Sequence, residues 1–108
     1  MDVEERGIGM PLTPEVRALV RTVFERSFER AGGRVDRVRV RLMADGDGVR
    51  CRARLWPEAG ATVVITETRP STFEAVLASA SGLVRALRQR HLARGRRSRR
   101  PGGTPACA

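Results

Sequence analysis

Lysine, asparagine and tyrosine are absent from this 108-residue chain, and histidine occurs once, at His91. All 21 basic residues are therefore arginine, set against 12 acids for a formal net charge of +9. Such a pattern is that of a coding bias, so arginine abundance carries little by itself and the placement of unbalanced charge carries the information. A single histidine, late in a basic stretch, reads as a surface residue rather than a catalytic base. The two cysteines, Cys51 and Cys107, have no His or further Cys at ligand spacing, which leaves no metal site; Cys51 reads as a small buried residue and Cys107 as a tail thiol. Asp45 and Asp47 fall in a Gly-rich turn, where backbone geometry favours them, and further cation ligands are missing. No glycine loop of the phosphate-cradling kind follows a strand, and no nucleophile lies beside a base by motif. These absences argue against an enzyme, and against a cofactor, a metal or a small-molecule substrate. The N-terminus MDVEERGIGM has acids where a secretory signal has positive charge. No apolar run approaches the roughly 18 residues that a membrane span needs. The expected setting is soluble, reducing and cytoplasmic, with no membrane partner.

What the chain does have is charge concentrated at one end. Arg85, Arg88, Arg90, Arg94, Arg96, Arg97, Arg99 and Arg100 include no acid among them, whereas the first 84 residues carry 13 basic and 12 acidic side chains. The net charge thus divides as +1 before residue 85 and +8 after it. A polyanion is the natural partner of such a surface, with nucleic acid and an anionic membrane surface as the main choices.

The element pattern places this charge. Ser71 followed by Glu74 is a capping box, which opens a helix at about residue 71. Phe73, Val76, Leu77, Ala80, Leu83, Val84 and Leu87 then recur at helical spacing as its apolar stripe. Upstream, Thr13 as N-cap, Pro14 at the first helical position and Glu15 beside the positive dipole end announce an earlier helix. Its apolar face is Val16, Leu19, Val20, Val23, Phe24, Phe28 and Ala31, and Gly32 and Gly33 end it. On its other face Arg17, Arg21, Glu25, Arg26, Glu29 and Arg30 mix both signs and read as solvated. Residues 2 to 9 form a short first strand, although DVEERGI alternates poorly. Val38, Val40 and Leu42 alternate with Arg37, Arg39 and Arg41, the period of two that marks a strand buried on one side. After the turn at residues 44 to 48, Val49, Cys51, Ala53 and Leu55 alternate with Arg50, Arg52, Arg54 and Trp56. A hairpin of these two strands gathers six arginines on one face. ATVVITET, residues 61 to 68, is a further strand, with Val63 and Ile65 inward and Thr62, Val64 and Thr66 outward.

The expected fold is therefore α+β in the order β-α-β-β-β-α, a four-stranded mixed sheet with both helices packed on one face. Residues 1 to 94 make the domain, and residues 95 to 108 an Arg-rich tail with nothing to bury, disordered in isolation.

In this order, LTPEVRALV entering the first helix, RVDRVRVRL in the second strand and STFEAVLASASGLVRALRQRH in the last helix resemble the short ribosome hibernation promoting factors, also called the ribosome-associated inhibitor or sigma-54 modulation family. The resemblance covers roughly residues 3 to 94. That family's last helix typically opens Asp-Met-Tyr-Ala-Ala-Ile-Asp and closes Lys-Leu-Glu-Arg-Gln-Leu-Arg-Lys. Phe73, Ala75 and Val76 take its Tyr, Ala and Ile positions, and Leu83, Arg85, Leu87 and Arg88 its closing Leu, Arg, Leu and Arg. Ser71, Leu77 and Gly82 depart from it. The resemblance implies a protein that docks on the small ribosomal subunit, in the channel for messenger and transfer RNA, and holds idle ribosomes inactive. The chain lacks the length for the long form's dimerising domain, and its expected state off the ribosome is a monomer.

For contact with ribosomal RNA the candidates are Arg85, Arg88, Arg90, Arg94, Arg96 and Arg97 at the helix end and tail, and Arg37, Arg39, Arg41, Arg50, Arg52 and Arg54 on the sheet. Guanidinium groups bridge phosphates bidentately and stack on exposed bases. Arg85 and Arg88 share one helix face, and Arg90 and Arg94 another. Against this stands a plain alternative: cations at a helix C-terminus complement the dipole, and polar side chains on an open sheet face are expected anyway. Trp56 either stacks on a base or covers the sheet edge. A general module for double-stranded RNA, or an adaptor for an acidic protein, fits the same charge.

Overall fold

The computed structural model describes the backbone of residues 1–31 and 35–99, and the side chains of these except at 31 and 91–99. The elements are β1 (Asp2–Ile8), α1 (Pro14–Ala31), β2 (Val35–Asp45), β3 (Gly48–Pro57), β4 (Val63–Arg69) and α2 (Thr72–Arg99). Their order is the expected one. Gly32 and Gly33, the proposed stop of α1, lie outside the described residues. Helix α2 continues past Arg94 to Arg99, so the first five residues of the expected tail are helical, consistent with the high helix propensity of arginine. Residues 100 to 108 lie outside the described part.

Both helix starts are capped as the sequence indicates. The Thr13 hydroxyl accepts the Val16 N–H at 3.2 Å, and the Ser71 hydroxyl accepts the Glu74 N–H at 3.2 Å. The return half of the capping box differs: the Glu74 carboxylate accepts from the Ser71 hydroxyl at 2.9 Å, so the two side chains close on each other.

The sheet runs β1-β2-β3-β4, with β1 parallel to β2 and the other neighbours antiparallel. A parallel first pair requires a crossover, which α1 supplies. The β2–β3 hairpin closes through the two-residue loop Gly46–Asp47, with Gly46 at a φ of 59°; positive φ at the first loop residue is what a tight hairpin of the II′ kind asks of glycine. Strands β1 and β4 point the same way, so α1 and α2, each returning over the sheet, run parallel and side by side.

Period-two alternation decides the layers. Val38, Val40 and Leu42 of β2 and Cys51, Ala53 and Leu55 of β3 are fully buried beneath Val20, Phe24 and Phe28 of α1 and Ala75, Val76, Ala80 and Leu83 of α2. Val63 and Ile65 of β4 face the same core, as expected. One prediction about α2 needs correction: Phe73 and Leu77 belong to its apolar stripe by spacing but remain 53 % and 39 % exposed. The buried line is instead Ala75, Val76, Ser79, Ala80 and Leu83, and the small residues let the helix sit close on the strands. A Cβ added at Gly82 would come within 3.1 Å of Ile65. Buried Ser79 stays satisfied by donating to the Ala75 carbonyl at 2.9 Å, with the Cys51 carbonyl at 3.3 Å.

Strand β1 shows why its sequence alternates poorly. Val3 and Glu5 both face the helices, and the Glu5 side chain is only 6 % exposed. It is held from α1 by Arg17 at 3.5 Å and Arg21 at 3.3 Å. Two cations of the mixed-sign face of α1 thus reach a sheet carboxylate while their own side chains stay about half exposed, at 49 % and 54 %. Further on, a Cβ at Gly7 would stand 2.0 Å from the Met10 carbonyl oxygen. Gly7→Ala is therefore expected to destabilise the fold by about 1–3 kcal/mol or more, measured by urea denaturation.

Burial pushes the Cys51 thiol up from an ordinary 9.0 to about 11, a rise that the hydrogen bond with Ser79 partly opposes. Between these values the unfolded chain has lost a proton that the folded chain keeps, so stability is full below pH 9 and falls as pH rises toward 11. With no lysine or tyrosine present, no other side chain except Cys107 titrates there. In a Cys107→Ser background, denaturant melts should lose about 2–3 kcal/mol across that window, and a further Cys51→Ala exchange should abolish the slope.

Candidate nucleic-acid interface

Helices cover one face of the sheet and leave the other to solvent, so every outward side chain of β2 and β3 lands on one open surface. The hairpin register then sets these side chains in rungs. Arg37 lies opposite Trp56, Arg39 opposite Arg54, Arg41 opposite Arg52, and Met43 opposite Arg50. All six sheet arginines singled out in the sequence are brought together in this way. Arg6 of β1, beside Arg41 in the parallel register, lengthens the third rung; the weak alternation of β1 hid it.

The charge on this face is neutralised at its ends and not in its middle. Arg37 is paired with Glu4 through both Nε and Nη2. Arg50 donates to Asp45 at 2.7 Å. Between them Arg39, Arg41, Arg52 and Arg54 line a shallow depression of about 110 Å³, and none has a carboxylate partner among the described residues. The Arg41 Nε is shielded from solvent and has no hydrogen-bond partner among the described residues. Trp56, opposite Arg37 at the end of this face, gathers three cations over its ring. The guanidinium carbons of Arg37, Arg39 and Arg54 stand 4.9, 5.4 and 5.7 Å from the centre of its ring, a distance at which the ring quadrupole attracts cations.

A second basic surface lies on the helix layer, across the sheet from the first. Arg85 and Arg88 line a groove of about 350 Å³ between α1 and α2, together with Ser27, Arg30, Ser81 and Val84. The pairing of Arg85 with Arg88 was legible in their spacing. Arg30 was not, because its partners come from the other helix and its own helix face reads as mixed charge. Arg90 points elsewhere: it donates to the Ala61 carbonyl at 2.7 Å and fastens α2 to the β3–β4 connection. That use removes Arg90 from the groove. The side chains of His91, Arg94, Arg96 and Arg97 lie outside the described residues.

Among the described residues no three His, Cys, Asp or Glu side chains group as metal ligands, and no helix is long and apolar enough to cross a membrane. The chemistry the two surfaces offer is the binding of anions that present several oxygens, by bidentate guanidinium forks.

No protein-family profile matches the chain, and no curated protein matches it by sequence. Solved structures do share its fold. A ribosomal subunit interface protein from Coxiella burnetii superposes with a TM-score of 0.75 at 14 % identity, covering 85 % of this chain and 99 % of that one. The N-terminal domain of Protein Y from Thermus thermophilus gives 0.71 at 18 % identity, over 82 % of this chain and 98 % of its own. The architecture is thus the one that the family resemblance implies.

Like charges directly opposite one another on neighbouring strands repel. Replacing Arg41 and Arg52 together by Gln should therefore leave the fold intact and raise the thermal midpoint at low ionic strength. Added sodium chloride should stabilise the native chain more than this variant, as read by circular dichroism.

Proposed function

We propose that this protein is a ribosome hibernation factor, which binds the small ribosomal subunit in the channel for messenger and transfer RNA and inhibits translation by occlusion. The observation that carries the reading is the fold shared with a ribosomal subunit interface protein along 99 % of that protein's length. Two guanidinium-rich surfaces, on the sheet and between the helices, support it. Occlusion asks only for affinity and a fitted shape, and both basic surfaces are suited to phosphate. In this role Arg85, Arg88 and Arg30 engage ribosomal RNA from the helix groove and the sheet arginines from the opposite side. Arg94, Arg96 and Arg97 extend the charge along the last helix. The protein works in the cytoplasm, as a monomer off the ribosome, and without catalysis.

Phosphate neutralisation releases condensed counterions, so binding should weaken steeply with salt. In co-sedimentation with purified small subunits, saturable binding that competes with initiator transfer RNA is expected. Arg85→Glu with Arg88→Glu should abolish it while the far-ultraviolet circular dichroism stays unchanged. Equal affinity for any RNA duplex would instead point to a general double-stranded RNA module, and indifference to RNA to an adaptor for an acidic protein.

A further inference from the structure

The middle of the open sheet face is organised in a way that stability does not explain. Two successive rungs, Arg39 with Arg54 and Arg41 with Arg52, set like charges against each other, an arrangement that destabilises a sheet. The ends of the same strands show that this chain places acids beside such arginines elsewhere, at Glu4 with Arg37 and Asp45 with Arg50. The four central guanidinium groups share one depression and form no ion pair among the described residues, although Glu4 stands beside Arg39 in the β1–β2 register, its carboxylate taken by Arg37.

Their spacing has a chemical meaning. Neighbouring strands lie about 4.8 Å apart, and residues two apart along a strand about 7 Å. Opposed forks across one rung can therefore share a single phosphoryl group, and the next rung can hold its neighbour. The Arg41 Nε, already shut off from water and without an acceptor among the described residues, keeps one edge of the site desolvated, where a charge-assisted hydrogen bond is strongest.

We infer that Arg39, Arg41, Arg52 and Arg54 form a clamp for two adjacent phosphoryl groups, such as those of a diphosphate or of consecutive nucleotides in one RNA strand. Trp56 is its positioning residue. Its ring lies within 5.7 Å of the Arg39 and Arg54 guanidinium carbons and holds that rung together against its own repulsion. The clamp rests on the ribosomal reading only for the source of the phosphates.

Trp56 is the sole tryptophan of the chain, so its fluorescence reports on the site directly. Titration of the full-length protein with inorganic tripolyphosphate should give a saturable change, at an affinity at least tenfold above that for orthophosphate. Arg41→Gln with Arg52→Gln, neither of them among the cations over the ring, should weaken this affinity at least tenfold in a protein whose circular dichroism is native. An equal response to sodium chloride at matched ionic strength, or an unchanged affinity in the double variant, would overturn the clamp. By calorimetry, Trp56→Leu should lower the affinity several-fold and Trp56→Phe should restore part of it, both with an unaltered salt slope because no arginine is lost. A uridine hexanucleotide that displaces tripolyphosphate would assign the clamp to an RNA strand. Retention of tripolyphosphate beside the bound oligonucleotide would assign it to a free polyphosphate, and either result supports the clamp. Co-sedimentation of the wild type with small subunits reports separately on the proposed function: its failure would remove that reading and leave the clamp standing.

Discussion

A sheet covered by helices on one side only must divide its side chains strictly, since a strand can reach the core with every second residue and no more. This constraint sets nearly everything else in the molecule. It sends Val38, Val40 and Leu42 under the helices and Arg37, Arg39 and Arg41 onto the open face, where they are half-buried, and it divides β3 between the same two faces. A one-residue slip of either strand would bury three guanidinium groups and expose three aliphatic chains, so the register is fixed by burial as firmly as by the hairpin loop. The basic surface of the sheet is the other side of the core, produced by the same alternation.

The two strands with the cleanest alternation, β2 and β3, were legible in the sequence, and so were both helix starts, because Thr13 and Ser71 each meet an N–H at the predicted distance along the chain. The opposition of Arg39 to Arg54 and of Arg41 to Arg52 follows from counting outward once the loop is placed at Gly46 and Asp47, a step that the arginine pattern alone does not supply. Strand β1 was faint for a definite reason: Glu5 occupies a position that alternation reserves for an apolar residue, where Arg17 and Arg21 from α1 reach one of its carboxylate oxygens.

The helix groove marks the limit of reading one element at a time. In the sequence Arg30 is counted with a face of mixed charge, and Arg90 falls on a line with Arg94. Packing reassigns both: Arg30 turns toward Arg85 and Arg88, while Arg90 is occupied by a backbone carbonyl. Which cations share a surface is decided between elements, at distances the chain order does not encode. The exposed positions of Phe73 and Leu77 have the same origin, since the sheet receives the line of small residues on α2 instead.

Because α1 and α2 run parallel, their macrodipoles add rather than cancel. Glu15 and Glu74 stand in the first turns, while Arg30, Arg85 and Arg88 gather toward the opposite end of the layer. The asymmetry lies in α2, whose one acid, Glu74, stands in its first turn and whose arginines all follow from Arg85 onward, opposing the sign of the backbone dipole, whereas α1 mixes Glu25 and Glu29 with Arg26 and Arg30 toward its end. In the field of a polyanion that asymmetry exerts a torque, turning the arginine end forward before contact. For the polyanion partner proposed above, that layout of α2 favours oriented encounters over random ones and so bears on the rate of association as well as on its strength.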